Sequence, residues 1–114
     1  MSAITTHVLD TSRGKPGVGI KATLEFLGDN NAWQTLGQGA TNTDGRISDL
    51  LSDDHKLSVG VYKLTFETQA YFDAQKAQGF YPNVQITFRI AEVDQHYHVP
   101  LLLNPFGYST YRGS

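Results

Sequence analysis

Apolar and polar residues alternate along most of the chain, and alternation with a period of two sends successive side chains to opposite faces of a strand. In Ile20-Lys21-Ala22-Thr23-Leu24-Glu25-Phe26 every second residue is apolar. The segment Val61 to Thr68 repeats the pattern through Tyr62, Leu64 and Phe66, and Asn83 to Ile90 repeats it through Val84, Ile86, Phe88 and Ile90. Each predicts a half-buried strand. Gly14-Lys15-Pro16-Gly17, Gly28-Asp29-Asn30-Asn31 and Thr43-Asp44-Gly45 punctuate these segments, and their glycine and Asx residues suit the backbone angles of tight turns. Short strands with short connections predict an all-β fold, a sandwich of two antiparallel sheets, in preference to a parallel sheet with crossover helices. One stretch departs from the pattern. Ala70 to Gln78 contains Ala74, Gln75, Lys76 and Ala77 ahead of Gly79, which predicts one short helix stopped by the glycine.

At 114 residues the chain has the size of one domain, expected to run over 1–114. Hydrophobic residues make up 39% and charged residues 18%, a balance that fits a folded globule rather than a disordered or bilayer-embedded chain. The net charge of -2 argues against nucleic acid as a partner, because a phosphate-binding face needs clustered Lys and Arg. With no cysteine there is no disulfide framework, thiolate metal site or cysteine nucleophile. The longest apolar run, Val99 to Leu103, is too short to span a membrane and contains Pro100. The start Met1-Ser2-Ala3-Ile4-Thr5-Thr6-His7 shows no basic and apolar targeting pattern, so the expected location is the cytoplasm.

Four histidines are the first candidates for chemistry: His7, His55, His96 and His98. If Ile4, Thr6 and Val8 face the core, then Thr5, His7 and Leu9 face out. By the same parity Tyr97, Val99 and Leu101 face in, and His96, His98 and Leu102 face out, with Pro100 weakening the register. Two outer faces thus mix leucine with histidine. Either a second subunit covers them and makes a pocket, or they are scattered surface residues; parity alone does not decide. The pair His96-x-His98 puts two imidazoles on one face, a spacing that can bind zinc or copper, but a catalytic zinc site takes three protein ligands and no third stands in an equivalent position. No metal is therefore expected. His55, in Ser52-Asp53-Asp54-His55-Lys56, reads as an exposed loop residue. No serine sits in a nucleophile elbow, and on this reading Arg46 and Arg112 are simply solvated charges.

Two segments carry a resemblance. His7-Val8-Leu9-Asp10-Thr11-Ser12-Arg13-Gly14-Lys15-Pro16-Gly17 is similar to the amino-terminal strand and turn of the transthyretin-related family. The segment from His96 to Ser114, which contains His98-Val99-Pro100-Leu101-Leu102-Leu103-Asn104-Pro105 and closes on Tyr111-Arg112-Gly113-Ser114, resembles that family's final pair of strands, with Asn104 where serine is more usual. The resemblance implies a prealbumin-like sandwich. The family divides into hormone carriers and 5-hydroxyisourate hydrolases, and the closing Tyr-Arg-Gly-Ser is similar to the hydrolase ending. It therefore implies a hydrolase of urate breakdown, with a carrier of a small aromatic ligand as the alternative. Carried over onto matching positions, the implied catalytic residues are His7, Arg46, His98 and Ser114, and the implied substrate-binding residues are Tyr111, Arg112 and Gly113. His96 has no catalytic part in that pattern. The resemblance further implies a homotetramer with sites between subunits, 5-hydroxyisourate as the small-molecule partner, and no cofactor.

Overall fold

The computed structural model describes residues 2–114; Met1, where the expected domain and the amino-terminal reading begin, lies outside them. The elements are β1 (Ile4–Asp10), β2 (Lys15–Pro16), β3 (Lys21–Leu27), β4 (Trp33–Ala40), β5 (Arg46–Ile47), β6 (Gly60–Phe66), α1 (Thr68–Ala74), β7 (Val84–Ile90), β8 (Tyr97–Asn104) and β9 (Gly107–Thr110). They form two sheets. One runs β4-β3-β6-β7, all antiparallel; the other runs β2-β1-β8-β9, with β5 also paired to β1.

Alternation explains the core between the sheets. Ala22 and Leu24 of β3, Tyr62, Leu64 and Phe66 of β6, and Val84, Ile86 and Ile90 of β7 meet Ile4, Val8, Val99, Leu101 and Leu103 of the other sheet, all buried. The polar groups drawn in with them are satisfied, as buried polar groups must be. Thr6 donates from Oγ1 to the Val99 carbonyl at 2.6 Å, and the Tyr62 hydroxyl donates to the Ser58 carbonyl at 2.7 Å.

Several expectations shift. The pairing of β1 with β8 is parallel, from Ile4↔Tyr97 to Asp10↔Leu103, within an otherwise antiparallel sandwich. Lys15–Pro16, expected in a turn, pairs with Asp10 and Leu9 as β2, and the turn itself falls earlier, with Gly14 at φ 63°. The helix covers Thr68–Ala74 rather than Ala70 to Gln78, because the left-handed residue that ends it is Lys76 at φ 57°, not Gly79. Strand β4 had no alternating signal. Its Gly37 passes so close to the segment after β5 that a Cβ there would lie 1.7 Å from the Leu50 carbonyl oxygen, so glycine is required and the pattern is lost.

Pro100 sits inside β8 without breaking it. The pairs Leu101↔Thr110 and His98↔Gly113 belong to one antiparallel register, and the ladder lapses between them, where proline has no N–H to give. The Pro100 carbonyl is instead met by the Thr110 hydroxyl at 2.7 Å.

Candidate active site

The parity reading places the histidines correctly. Ile4, Thr6 and Val8 are buried against the core, as are Tyr97, Val99 and Leu101, while His7, Leu9, His98 and Leu102 are half-buried on the outer face and His96 is exposed. The parallel ladder sets these in rows: Thr5 beside His98, His7 beside Pro100, Leu9 beside Leu102.

Arg46 arrives at the same face through a tight turn. The Asn42 side-chain oxygen accepts from the backbone N–H of Asp44 at 2.9 Å and of Arg46 at 3.0 Å, an Asx arrangement that closes the loop locally. Gly45 must be glycine twice over, since its φ is 77° and a Cβ would stand 2.4 Å from the Val8 carbonyl oxygen. Its own carbonyl accepts from Val8 N–H at 2.7 Å, and the next residue, Arg46, becomes the antiparallel partner of His7.

Gly113 brings the end of the chain to His98. Its N–H donates to the His98 carbonyl at 2.8 Å, and a Cβ at 113 would lie 2.6 Å from His98 Cδ2, so only glycine lets the strand pass against the imidazole. Ser114 then reaches a cavity of about 220 Å³ whose walls include Thr5, Arg46, Ser48, His96 and His98. Of the residues expected from sequence, Arg46, His98 and Ser114 share this cavity. His7 does not line it but stands two positions from Thr5 on the same outer face.

Tyr111 and Arg112 lie elsewhere. They line a second cavity of about 280 Å³ on the other side of His98, with Phe88 and Arg89. Arg112 rests 4.5 Å above the Tyr97 ring and donates to the Gln95 side-chain oxygen at 2.7 Å. Alternation from the His98↔Gly113 bridge accounts for this, since the residue before Gly113 falls on the side of Tyr97. His98 is the one expected residue that borders both cavities.

Burial, followed by the Arg46 guanidinium and then the neighbouring His7 and His96, holds the His98 imidazole below the ordinary histidine value of 6.5. It is therefore neutral near pH 7 and able to accept a proton. Thr5 was not singled out from sequence, yet its Oγ1 lies 2.8 Å from His98 Nδ1 and 3.2 Å from His96 Nε2. Its shared parity with His7 was the only available signal. Among the described residues no group of three His, Asp or Glu side chains comes together in a way that could hold a metal ion, and no helix is long and apolar enough to cross a membrane.

A model described as the HIUase/Transthyretin family matches residues 4–113. A Caenorhabditis elegans protein described as a probable 5-hydroxyisourate hydrolase is 46% identical over 99% of this chain and 82% of its own length. Among solved structures, the 5-hydroxyisourate hydrolase of Klebsiella pneumoniae superposes with a TM-score of 0.84 at 38% identity, covering 97% of this chain and 98% of that one. Sea bream transthyretin in complex with thyroxine superposes with a TM-score of 0.92 at 26% identity, covering 98% and 95%. The fold is common to carrier and enzyme, whereas sequence identity is clearly higher to the hydrolases.

Proposed function

The chain belongs to the HIUase/Transthyretin family, and from that premise we propose how it acts as a hydrolase that opens the ring of 5-hydroxyisourate to 2-oxo-4-hydroxy-4-carboxy-5-ureidoimidazoline in urate catabolism. The observation that carries the reading is the convergence of His98, Arg46 and Ser114 on one cavity, with His7 in register beside Arg46. An apolar hormone would find this lining poor, because desolvating an arginine and imidazoles without partners is costly.

Opening the ring requires water to attack a carbonyl and the adjacent C–N bond to break. Neutral His98 takes the proton from the attacking water, which suits a group held below its ordinary value. Its Nδ1 lies against Thr5, so Nε2 is the nitrogen left for this task. Arg46 offers a planar fork of donors to the oxyanion that forms on the carbonyl, and its charge persists at any working pH. His7 returns a proton to the departing nitrogen, and the Ser114 hydroxyl hydrogen-bonds the substrate. Tyr111 and Arg112 extend the binding surface from the adjoining cavity, and Gly113 keeps the end of the chain close to His98. No cofactor enters the scheme.

The assembly is a homotetramer in this reading, with the outer face of β1 and β8 covered by other copies. The half-buried leucines Leu9 and Leu102, paired side by side on the same face as His98, support it.

Generating 5-hydroxyisourate from urate with urate oxidase and following its ultraviolet decay tests the activity directly. Acceleration by the purified protein is the expected result. Decay at the uncatalysed rate, from a sample that is folded and tetrameric, overturns the assignment.

A further inference from the structure

The Thr5 hydroxyl lies between two imidazoles, and its hydrogen-bonding inventory restricts what the three groups can do together. A hydroxyl has one proton to donate and lone pairs to accept, while a neutral imidazole has one N–H and one bare nitrogen. With Oγ1 at 2.8 Å from His98 Nδ1 and 3.2 Å from His96 Nε2, two self-consistent chains exist. In the first, His98 donates from Nδ1 to Thr5 and Thr5 donates to His96 Nε2, which leaves a lone pair on His98 Nε2. In the second, every donor is reversed and His98 Nε2 carries a proton. The first state is a base and the second is an acid.

We propose that Thr5 is a positioning residue that fixes the tautomer of His98 and passes its proton to His96, so that the positive charge formed during water attack comes to rest on His96. The proposal rests on the reading of His98 as the base given above. As His98 Nε2 takes the proton of the attacking water, the Nδ1 proton moves to Thr5 Oγ1 and the Thr5 proton moves to His96 Nε2. One proton enters and one arrives at the far end, so His98 finishes neutral in its second tautomer, His96 is an imidazolium, and hydroxide is delivered to the carbonyl. Once His7 has given its proton to the departing nitrogen, the reverse movement returns the Thr5 and Nδ1 protons, and the proton freed from His98 Nε2 passes through water to His7, so each group ends as it began.

Electrostatics gives the direction. An imidazolium at His98 would sit half-buried beside the Arg46 guanidinium, and both circumstances disfavour it. His96 is exposed in the protomer and precedes the first residue of β8, so a charge there lies nearer the margin of the covered face, and nearer water, than one on His98. The geometry follows from the parallel pairing, which puts Thr5 level with His98, and from alternation, which puts His96 on the same outer face. Thr5 itself is buried, at 6% exposure, which shields the hydroxyl from competing water.

Nitrogen-15 NMR of the imidazoles in the substrate-free protein, combined with steady-state kinetics, tests this. His98 should show the Nδ1–H tautomer, whereas imidazole free in water favours Nε2–H. Thr5→Val, which keeps the branched shape and removes the hydroxyl, should return His98 to Nε2–H and lower kcat about tenfold to a hundredfold with KM little changed. Thr5→Ser should restore both. His96→Gln, at an exposed position, keeps an acceptor for Thr5 but cannot take up the proton, so His98 should stay Nδ1–H while kcat falls about tenfold. The proposal is overturned by Nε2–H at His98 in the unaltered protein, by the same tautomer with and without the hydroxyl, by unchanged kcat in Thr5→Val or His96→Gln, or by Thr5→Ser as impaired as Thr5→Val. A protein that fails to hydrolyse 5-hydroxyisourate overturns the activity instead, and the substrate-free spectra still decide whether Thr5 sets the tautomer.

Discussion

Strand β1 carries a polar cluster at each end, and the two are built in opposite ways. At the far end, Asp10 is fully buried, and both carboxylate oxygens are occupied: Oδ1 accepts from the Ser12 N–H at 3.0 Å and hydroxyl at 2.6 Å, and Oδ2 accepts from the Tyr71 hydroxyl at 2.6 Å. Burial alone would raise its pKa, but the donors of Ser12 and Tyr71, with the backbone of Ser12 and Arg13, outweigh it and leave the value below 3.8. At the near end, His98 is surrounded by burial and like charge, with no carboxylate among the groups that shift it. Both values are lowered, with contrary meaning. Asp10 is held in its charged form by its donors and is inert; His98 is held in its neutral form by burial and by the neighbouring Arg46 guanidinium and is ready to take a proton. A cluster that satisfies its charge stabilises the fold, and one that disfavours charge leaves a base available for chemistry.

Changing each end in turn should separate the two roles. The largest effect is expected from His98→Asn, which should lower kcat/KM by about 10² to 10⁴ while the melting temperature stays put; calorimetry beside the ultraviolet assay checks both. Asp10→Asn should do the reverse. It leaves donors facing an amide, so stability should fall by roughly 1–3 kcal/mol, or about 5 to 15 °C in Tm, with kcat unchanged. A loss of activity matching that of His98→Asn would erase the distinction between the ends. Gly113→Ala sharpens the near end alone, because the new methyl must push the His98 ring aside; kcat should drop about tenfold with Tm nearly constant.

The pH responses are the smallest effects and should also diverge. A carboxylate with a lowered folded value contributes stability that is complete above the unfolded pKa and is lost as pH falls through the folded one. Acid unfolding should therefore steepen below about pH 4, and Asp10→Asn should flatten it. His98 should place the acid limb of kcat/KM below 6.5, and Arg46→Gln should move the limb of the residual activity upward, since it removes a charge that disfavours the imidazolium. A limb that stays in place would dissociate Arg46 from His98.

Local patterning carried much of this into the sequence. The outward setting of His7 and His98 follows from alternation in two strands, and Arg46 follows a turn whose Asx and glycine residues are legible. What escaped depended on contacts between distant segments. Thr5 looks like any strand threonine until β1 lies parallel to β8 and places it between two imidazoles. Arg112 enters with the Tyr111-Arg112-Gly113-Ser114 ending through the family resemblance, and only the pairing of distant strands shows that it turns to the Tyr97 ring, in the adjoining cavity. Strand β4 was lost because Gly37 and Gly39, demanded by close approach to Leu50 and Ile47, interrupt its alternation. The end of α1 was misplaced because Lys76 adopts the backbone angle that glycine usually takes.

The parallel pairing of β1 with β8 also bears on when the protein becomes competent. Thr5 and His98 are 93 positions apart, and the whole of the sheet β4-β3-β6-β7 is threaded between them. Contacts of such separation are entropically expensive to close and form slowly. During synthesis β1 leaves the ribosome before β8 and has no neighbour on that edge until β8 follows, so the sheet β4-β3-β6-β7 can be complete while the proposed catalytic centre does not yet exist. Activity is thus acquired in the last step of folding, and a refolding chain should regain sheet signal before it regains turnover.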